Sequence, residues 1–179
     1  MDALPETGLQ HTVSVILPAL DEEVTIGECI KKIQNVLQSH TLHGEIIVVD
    51  SSTDRTAEIA KSLGATVIHP EKPGYGNAYL AGFEHAMGRF LILGDADNTY
   101  DFSEIPKLLA PLEAGADFVI GSRFKGTIHP NAMTPLHRYL GNPLLTWMVN
   151  TIFSTHYSDT HSGFRAITRG NRCHLVVVA

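Results

Sequence analysis

The sequence predicts an α/β protein, a mostly parallel sheet flanked by helices on both faces. Short apolar runs of strand type alternate in series with segments whose apolar residues recur every three or four positions. The right-handed crossovers that such alternation requires favour parallel strands covered from both sides. The 179 residues, 44% apolar and 18% charged, allow one domain with a sizeable core and exclude a disordered, collagen-like or coiled-coil chain.

Residues 1–12 read as a loose leader, 13–169 as the domain, and 170–179 as a tail whose Val-Val-Val-Ala ending, without a cap, is that of a truncated domain. The first strand is Val13–Leu17, stopped by Pro18. From Glu22 the period changes, and Ile26, Ile30, Ile33 and Leu37 mark a one-sided helix. The second strand, Ile46–Val49, runs into Asp50. Its helix takes Ser52 or Thr53 as cap, buries Ala57, Ala60 and Leu63, and closes at Gly64. Thr66–His69 is the third strand, leading through Pro70 and Gly74-Tyr-Gly76 into an alanine-rich helix that ends near Met87. Phe90–Leu93 is the fourth strand, with Asp95 just beyond it. A helix from Ser103 to near Ala114 and a strand at Phe118–Ile120 complete the alternation. Past Gly121 a polar, Pro/Gly-punctuated stretch, Arg123–Pro135, precedes a helix-like segment, Leu136–Phe153, interrupted by Asn142-Pro143. This half is expected to cover the ligand edge of the sheet.

Composition narrows the function. Thirteen Lys+Arg against nineteen Asp+Glu give a net charge of −6, the wrong sign for holding nucleic acid by phosphate neutralisation. Cys29 and Cys173 form no Cys-x-x-Cys pair, so neither a disulfide framework nor a thiolate zinc site is expected, and a reducing, cytoplasmic setting fits. No signal-peptide pattern and no spanning apolar run occurs, which leaves peripheral membrane contact. His40-x-x-His43 and the His156/His161 pair lack the His-Glu-x-x-His pattern of metal hydrolases, although His161 merits mutation for its place in Asp159–Arg165. Gly74-Tyr-Gly76 fails the dinucleotide fingerprint because Tyr79 occupies its last glycine position, and there is no P-loop. Trp147–Val149 with Ile152-Phe153 read as helix core rather than a membrane anchor.

Open parallel sheets bind ligands beyond the carboxyl ends of their strands, where loops diverge and helix N-termini point outward. Three such ends here carry acids: Asp21 and Glu22; Asp50 and Asp54; and Asp95, Asp97 and Asp101. Helix capping accounts for Asp54 and Asp21. It accounts poorly for Asp95-Ala96-Asp97, because two carboxylates one residue apart repel each other unless a cation or donor set lies between them. Mg2+ or Mn2+ meets that need, with water and diphosphate oxygens filling the remaining positions.

Val15-Ile-Leu-Pro18 with Asp21-Glu22, Val49–Asp54, Gly74–Tyr79, Gly94-Asp-Ala-Asp97, Gly121-Ser-Arg123 and Ser162-Gly-Phe-Arg165 together resemble the ordered motifs of family 2 glycosyltransferases. The resemblance is strongest to the branch acting on dolichyl or polyprenyl phosphate. It implies a GT-A fold and a UDP- or GDP-hexose donor whose base and ribose lie against Pro18, Ala19, Glu22 and Asp50, with Gly76, Asp95 and Ala96 also at the donor site. It implies a metal on Asp97 with Asp95 nearby, and inversion by direct in-line attack. Thr99 stands where relatives often carry Gln, so the third metal ligand is open, with Asp101 a candidate.

Arg123, Arg138 and Arg165 are expected to join Asp97 in the chemistry, their guanidinium forks holding an acceptor phosphate beside the sugar. A phosphate monoester is already anionic, so no dedicated base is needed. The expected reaction is hexose transfer to polyprenyl or dolichyl phosphate at the cytoplasmic membrane face. The alternatives are a saccharide-hydroxyl acceptor, with Asp159 as the acid to examine as base, and an inactive nucleotide-sugar-binding fragment.

Overall fold

The computed structural model describes residues 11–122, 142–153, 159 and 162–170. Six strands form one sheet: β1 (His11–Ala19), β2 (Gly44–Asp50), β3 (Thr66–Ile68), β4 (Gly88–Leu93), β5 (Phe118–Ile120) and β6 (Arg165–Thr168). Their order is β3-β2-β1-β4-β6-β5. The first four are mutually parallel, as the alternation requires. The helices are α1 (Ile26–Ser39), α2 (Thr56–Ser62), α3 (Tyr75–His85), α4 (Ile105–Glu113), entered through a 3-10 turn at Phe102–Glu104, and α5 (Asn142–Phe153).

The two faces of the sheet follow from strand alternation. Along β1, Val13, Val15 and Leu17 are buried with Ile26, Ile30 and Ile33 of α1 and Leu108 and Leu112 of α4. Ile16 points the other way and packs with Ile47, Val49, Leu91, Leu93 and Ala78 of α3. On that second face α3 comes very close to β1: a Cβ on Gly82 would lie 2.5 Å from Ile16 Cγ2.

Four details depart from the sequence reading. β6, which the pattern does not reveal, pairs antiparallel with both β4 and β5 and separates them, making the sheet mixed. Four residues are too few to establish a period. β1 continues through Pro18 to Ala19, since its pairing with β4 ends at Ile16↔Leu93 while its pairing with β2 runs on to Ala19↔Asp50. Ser52 and Thr53 do not cap α2. Asp54 Oδ1 accepts from Thr56 N at 2.9 Å, while Ser52 Oγ accepts from Asp21 N at 2.8 Å and Asp21 Oδ1 accepts from Thr53 N at 2.9 Å. Asp21 thus laces the two loops together instead of capping α1, which starts after Thr25.

The fourth departure is α5. Trp147 is 62% exposed, and Leu144, Leu145, Met148 and Ile152 are exposed with it, so these side chains are not core. The helix carries no charged residue. Periodicity therefore had no polar side from which to choose a buried one. Among the described residues no helix is long and apolar enough to cross a membrane.

Gly82→Ala tests the close approach of α3. Alanine is the better helix former, yet forcing a methyl into Ile16 is expected to lower stability by about 1–3 kcal/mol in urea unfolding. An unchanged midpoint would show that the helix can move aside freely.

Candidate functional site

Register brings the acids together. Ala19 pairs with Asp50 at the ends of β1 and β2, and Ile16 pairs with Leu93, two residues before Asp95. Because β6 is antiparallel, it starts where the others finish, with Arg165 opposite both Leu93 and Ile120. One edge of the sheet therefore gathers Pro18, Ala19, Glu22, Asp50, Asp95–Asp97 and Ser162–Arg165. This topology is why Arg165, 70 residues after Asp95 in sequence, acts on it electrostatically.

Asp50 is only 2% exposed, and among the described residues its Oδ1 has no hydrogen-bond partner. Its Oδ2 lies 3.6 Å from His69 Nδ1, and the same ring nitrogen is 3.0 Å from the Asp50 carbonyl oxygen. A buried carboxylate oxygen without a donor costs stability, and an N–H or O–H brought by a ligand would satisfy it. Pro18 is half-buried and Ala19 buried. Glu22 serves local structure, taking the Thr25 hydroxyl on Oε2 at 2.8 Å and donating its N–H to Thr56 Oγ1 at 2.9 Å. Gly76 lies exposed in the first turn of α3, with open space where a side chain would stand.

The two aspartates after β4 have different surroundings. Asp95 is half-buried, and its Oδ1 accepts from the Tyr75 hydroxyl at 2.8 Å. Tyr100 also hydrogen-bonds its carboxylate, and the same hydroxyl accepts from Gly163 N at 2.8 Å. Burial raises the Asp95 pKa above the ordinary carboxylate value; the Tyr75 bond opposes this and the charge of Asp97 adds to it. Asp97 is exposed, with Oδ1 accepting from Thr99 N at 2.9 Å in a tight turn that carries Asn98 at φ 63°. Ala96, between them, is buried in the core, and its carbonyl accepts from Cys29 Sγ at 3.4 Å. Lys32 directs its ammonium to Glu28 and Asn98, each at 2.8 Å, and among the described residues no lysine pairs with Asp95 or Asp97.

The acids suit a hard divalent ion: Asp97 keeps Oδ2 without a protein partner among the described residues, and both carboxylates lie on one short turn. Asp101 does not complete a protein ligand set. Its Oδ1 caps the 3-10 turn by accepting from Ser103 N at 2.9 Å. Among the described residues no group of three His, Cys, Asp or Glu could hold a metal, so diphosphate and water oxygens would supply the remaining ligands.

Arg165 donates Nε–H to the Ser162 carbonyl at 2.7 Å. Asp159 is buried and engaged by other groups of the protein. Arg123, Arg138, His156 and His161 lie outside the described residues. His40 and His43 sit between α1 and β2, far from the acids along the sheet, where the His43 carbonyl accepts from Thr12 and Val13 N–H. Sequence reasoning missed Tyr75, Tyr100, Gly163 and His69. Tyr75 stands inside Gly74-Tyr-Gly76, where the glycines carry the motif.

The family model described as glycosyl transferase family 2 matches residues 14–170. A low-salt glycan biosynthesis hexosyltransferase, Agl6, of Haloferax volcanii is 47% identical over 165 residues, 92% of this chain and 40% of that protein. A dolichyl-phosphate hexose transferase of the same organism is 32% identical over 157 residues, 88% of this chain and 66% of that one. The chain thus spans between 40% and 66% of the length of these curated relatives. Among solved structures, glucosyl-3-phosphoglycerate synthase from Mycobacterium tuberculosis in complex with Mn2+, UDP and phosphoglyceric acid superimposes with a TM-score of 0.67 at 26% identity, over 89% of this chain and 56% of that one. Mannosyl-3-phosphoglycerate synthase from Rubrobacter xylanophilus, at 23% identity, shares the fold with a TM-score of 0.71, over 91% of this chain and 55% of that one.

The orphaned Asp50 oxygen has a measurable signature. Asp50→Asn removes a buried charge while keeping its shape, and is expected to leave stability unchanged or raise it by about 1 kcal/mol in urea unfolding. A large loss of stability would mean that the carboxylate serves the fold.

Proposed function

We propose, from the premise that the chain belongs to glycosyl transferase family 2, that it transfers a hexose, with inversion, from a nucleotide-diphosphate sugar to polyprenyl or dolichyl phosphate. The observation that carries this reading is the convergence of Asp50, Asp95, Asp97 and Arg165 at one edge of the GT-A sheet. Relatives named for dolichyl-phosphate hexose transfer and for dolichol-phosphate mannosyl transfer support the lipid-phosphate acceptor. UDP and Mn2+ in the mycobacterial synthase support a nucleotide-sugar donor and a divalent ion.

In this reading Pro18, Ala19 and Glu22 border the nucleoside. Asp50 Oδ1 takes a hydrogen bond from a base or ribose donor, and Gly76 and Asp95 border the diphosphate, whereas Ala96, expected there too, is buried in the core beneath the two acids. Asp97, with Asp95 beside it, would hold Mg2+ or Mn2+, which when bound offsets the charge of the departing nucleoside diphosphate. An acceptor phosphate oxygen attacks the anomeric carbon from the face opposite the leaving group. The new C–O bond forms as the bond to the diphosphate breaks, the configuration inverts, and no proton need move. The protein's work is alignment and charge neutralisation, with Arg165 offsetting repulsion between the two anionic reactants, joined in the proposal by Arg123 and Arg138. The exposed, uncharged α5, with Trp147 at its middle, suits peripheral contact with the bilayer that carries such an acceptor, at its cytoplasmic face.

The mycobacterial synthase, named for a phosphoglycerate product, favours a second reading in which the acceptor is a small phosphorylated acid. Incubating the protein with Mn2+, labelled UDP- or GDP-hexose, and either a short polyprenyl phosphate or 3-phosphoglycerate separates the two. The first reading predicts labelled lipid. Label in phosphoglycerate alone would replace it with the second, and donor binding without transfer would reduce the chain to a binding fragment.

Two variants divide the site. Asp97→Ala is expected to abolish the metal-dependent part of nucleotide affinity in calorimetry, and unchanged affinity would refute the metal assignment. Arg165→Ala is expected to impair acceptor use at least tenfold while keeping donor affinity, as for a lost charge-assisted contact. Equal loss of both would count against its assigned role.

A further inference from the structure

Asp95 is the meeting point of two hydroxyls held by separate aromatic stacks. Tyr75 opens α3 and donates to Asp95 Oδ1 at 2.8 Å. Its hydroxyl is 3.1 Å from that of Tyr79, the two rings meet edge-on at 4.9 Å, and Tyr79 stacks on Phe83 at 6.1 Å. On the other side Tyr100 bonds the same carboxylate, and its ring stacks on Phe164 at 5.5 Å. Phe164 in turn meets Phe102 edge-on at 5.8 Å. The backbone of the Ser162–Arg165 motif closes over this group: a Cβ on Gly163 would stand 2.7 Å from the Tyr100 hydroxyl and 3.0 Å from Asp95 Oδ2.

Tyr75 is 56% exposed. An exposed tyrosine ordinarily leaves its hydroxyl to water, whereas this one is fixed between Tyr79 and Asp95. A carboxylate bonded by two anchored hydroxyls keeps one orientation, so its free lone pairs face the same direction before any ligand arrives. Asp97, with a single local bond and an open oxygen among the described residues, has no such restraint there.

We infer that Tyr75 is a positioning residue for the metal–diphosphate subsite: its hydroxyl presets the Asp95 carboxylate beside Asp97 for a divalent cation carrying a nucleoside diphosphate. This inference rests on the donor-site reading above and adds to it a residue outside the acidic motif, on a different element of the fold. Outer partners that orient metal-binding carboxylates are commonly worth about 10–100-fold in metal affinity. They act by removing the reorganisation that binding would otherwise require.

Tyr75→Phe keeps the ring and its edge-on contact with Tyr79 and deletes only the hydroxyl. Mn2+ binding is read from the free-ion electron paramagnetic resonance signal during titration in the presence of UDP, and UDP binding is measured separately by calorimetry in EDTA. The expected result is Mn2+ affinity weakened about tenfold, with metal-free UDP affinity and thermal midpoint within error of the unsubstituted protein. Tyr100→Phe, which removes the other hydroxyl from the same carboxylate, should weaken Mn2+ binding in the same way. Unchanged Mn2+ affinity in Tyr75→Phe, or a parallel loss of metal-free UDP binding, would overturn the positioning role while leaving the donor site intact. If the unsubstituted protein bound no Mn2+ with UDP, the donor-site reading itself would fail and take this inference with it.

Discussion

The organisation of this molecule depends on negative charge concentrated at one edge of a sheet. Parallel strands must finish on the same side, so whatever follows β1, β2 and β4 is brought together, and here that is Asp21 with Glu22, Asp50, and Asp95 with Asp97. Carboxylates so placed repel one another and, where buried, forgo hydration. The fold answers the cost locally in most cases. Asp21 and Asp54 bond loop amides, Glu22 binds a threonine, and Asp101 caps a turn. Among the described residues the expense is left unanswered at the buried Asp50 Oδ1, while the exposed Asp97 keeps one oxygen open to solvent. Those are the places where a ligand gains most.

The antiparallel β6 gives this edge its counter-charge. A further parallel strand would have carried its first residue to the far end of the sheet, away from the acids. Running the opposite way between β4 and β5, β6 puts Arg165 next to the end of β4 and lets the preceding Gly163 lie against Asp95 and Tyr100. The turn after β4 and the segment leading into β6 are thus joined through Tyr100, which touches both the Asp95 carboxylate and the Gly163 amide.

Much of this was legible in the sequence, for identifiable reasons. The α1 stripe of Ile26, Ile30, Ile33 and Leu37 is buried as its spacing requires. The strand ends at Asp50 and just before Asp95 follow from apolar runs meeting acids. Three things were hidden. β6 spans four residues, too short to show a period. Helix α5 has no charged residue to mark its wet side, so Trp147 read as core. The tyrosine clamp on Asp95 joins residues 20 apart in one case and brings in Gly163 from the loop before β6, a proximity that only the assembled sheet creates. A tyrosine between two glycines carries no periodic or spacing signal of its own.

In the proposed function the Asp95–Asp97 turn receives a divalent ion together with a nucleoside diphosphate. Anomalous diffraction above the manganese edge, from crystals grown with Mn2+ and UDP, tests it most directly. The expected result is a peak in contact with a carboxylate oxygen of Asp97 and with oxygens of the diphosphate. Nucleotide bound at this edge with no peak beside Asp97, or a peak elsewhere on the protein, would contradict it.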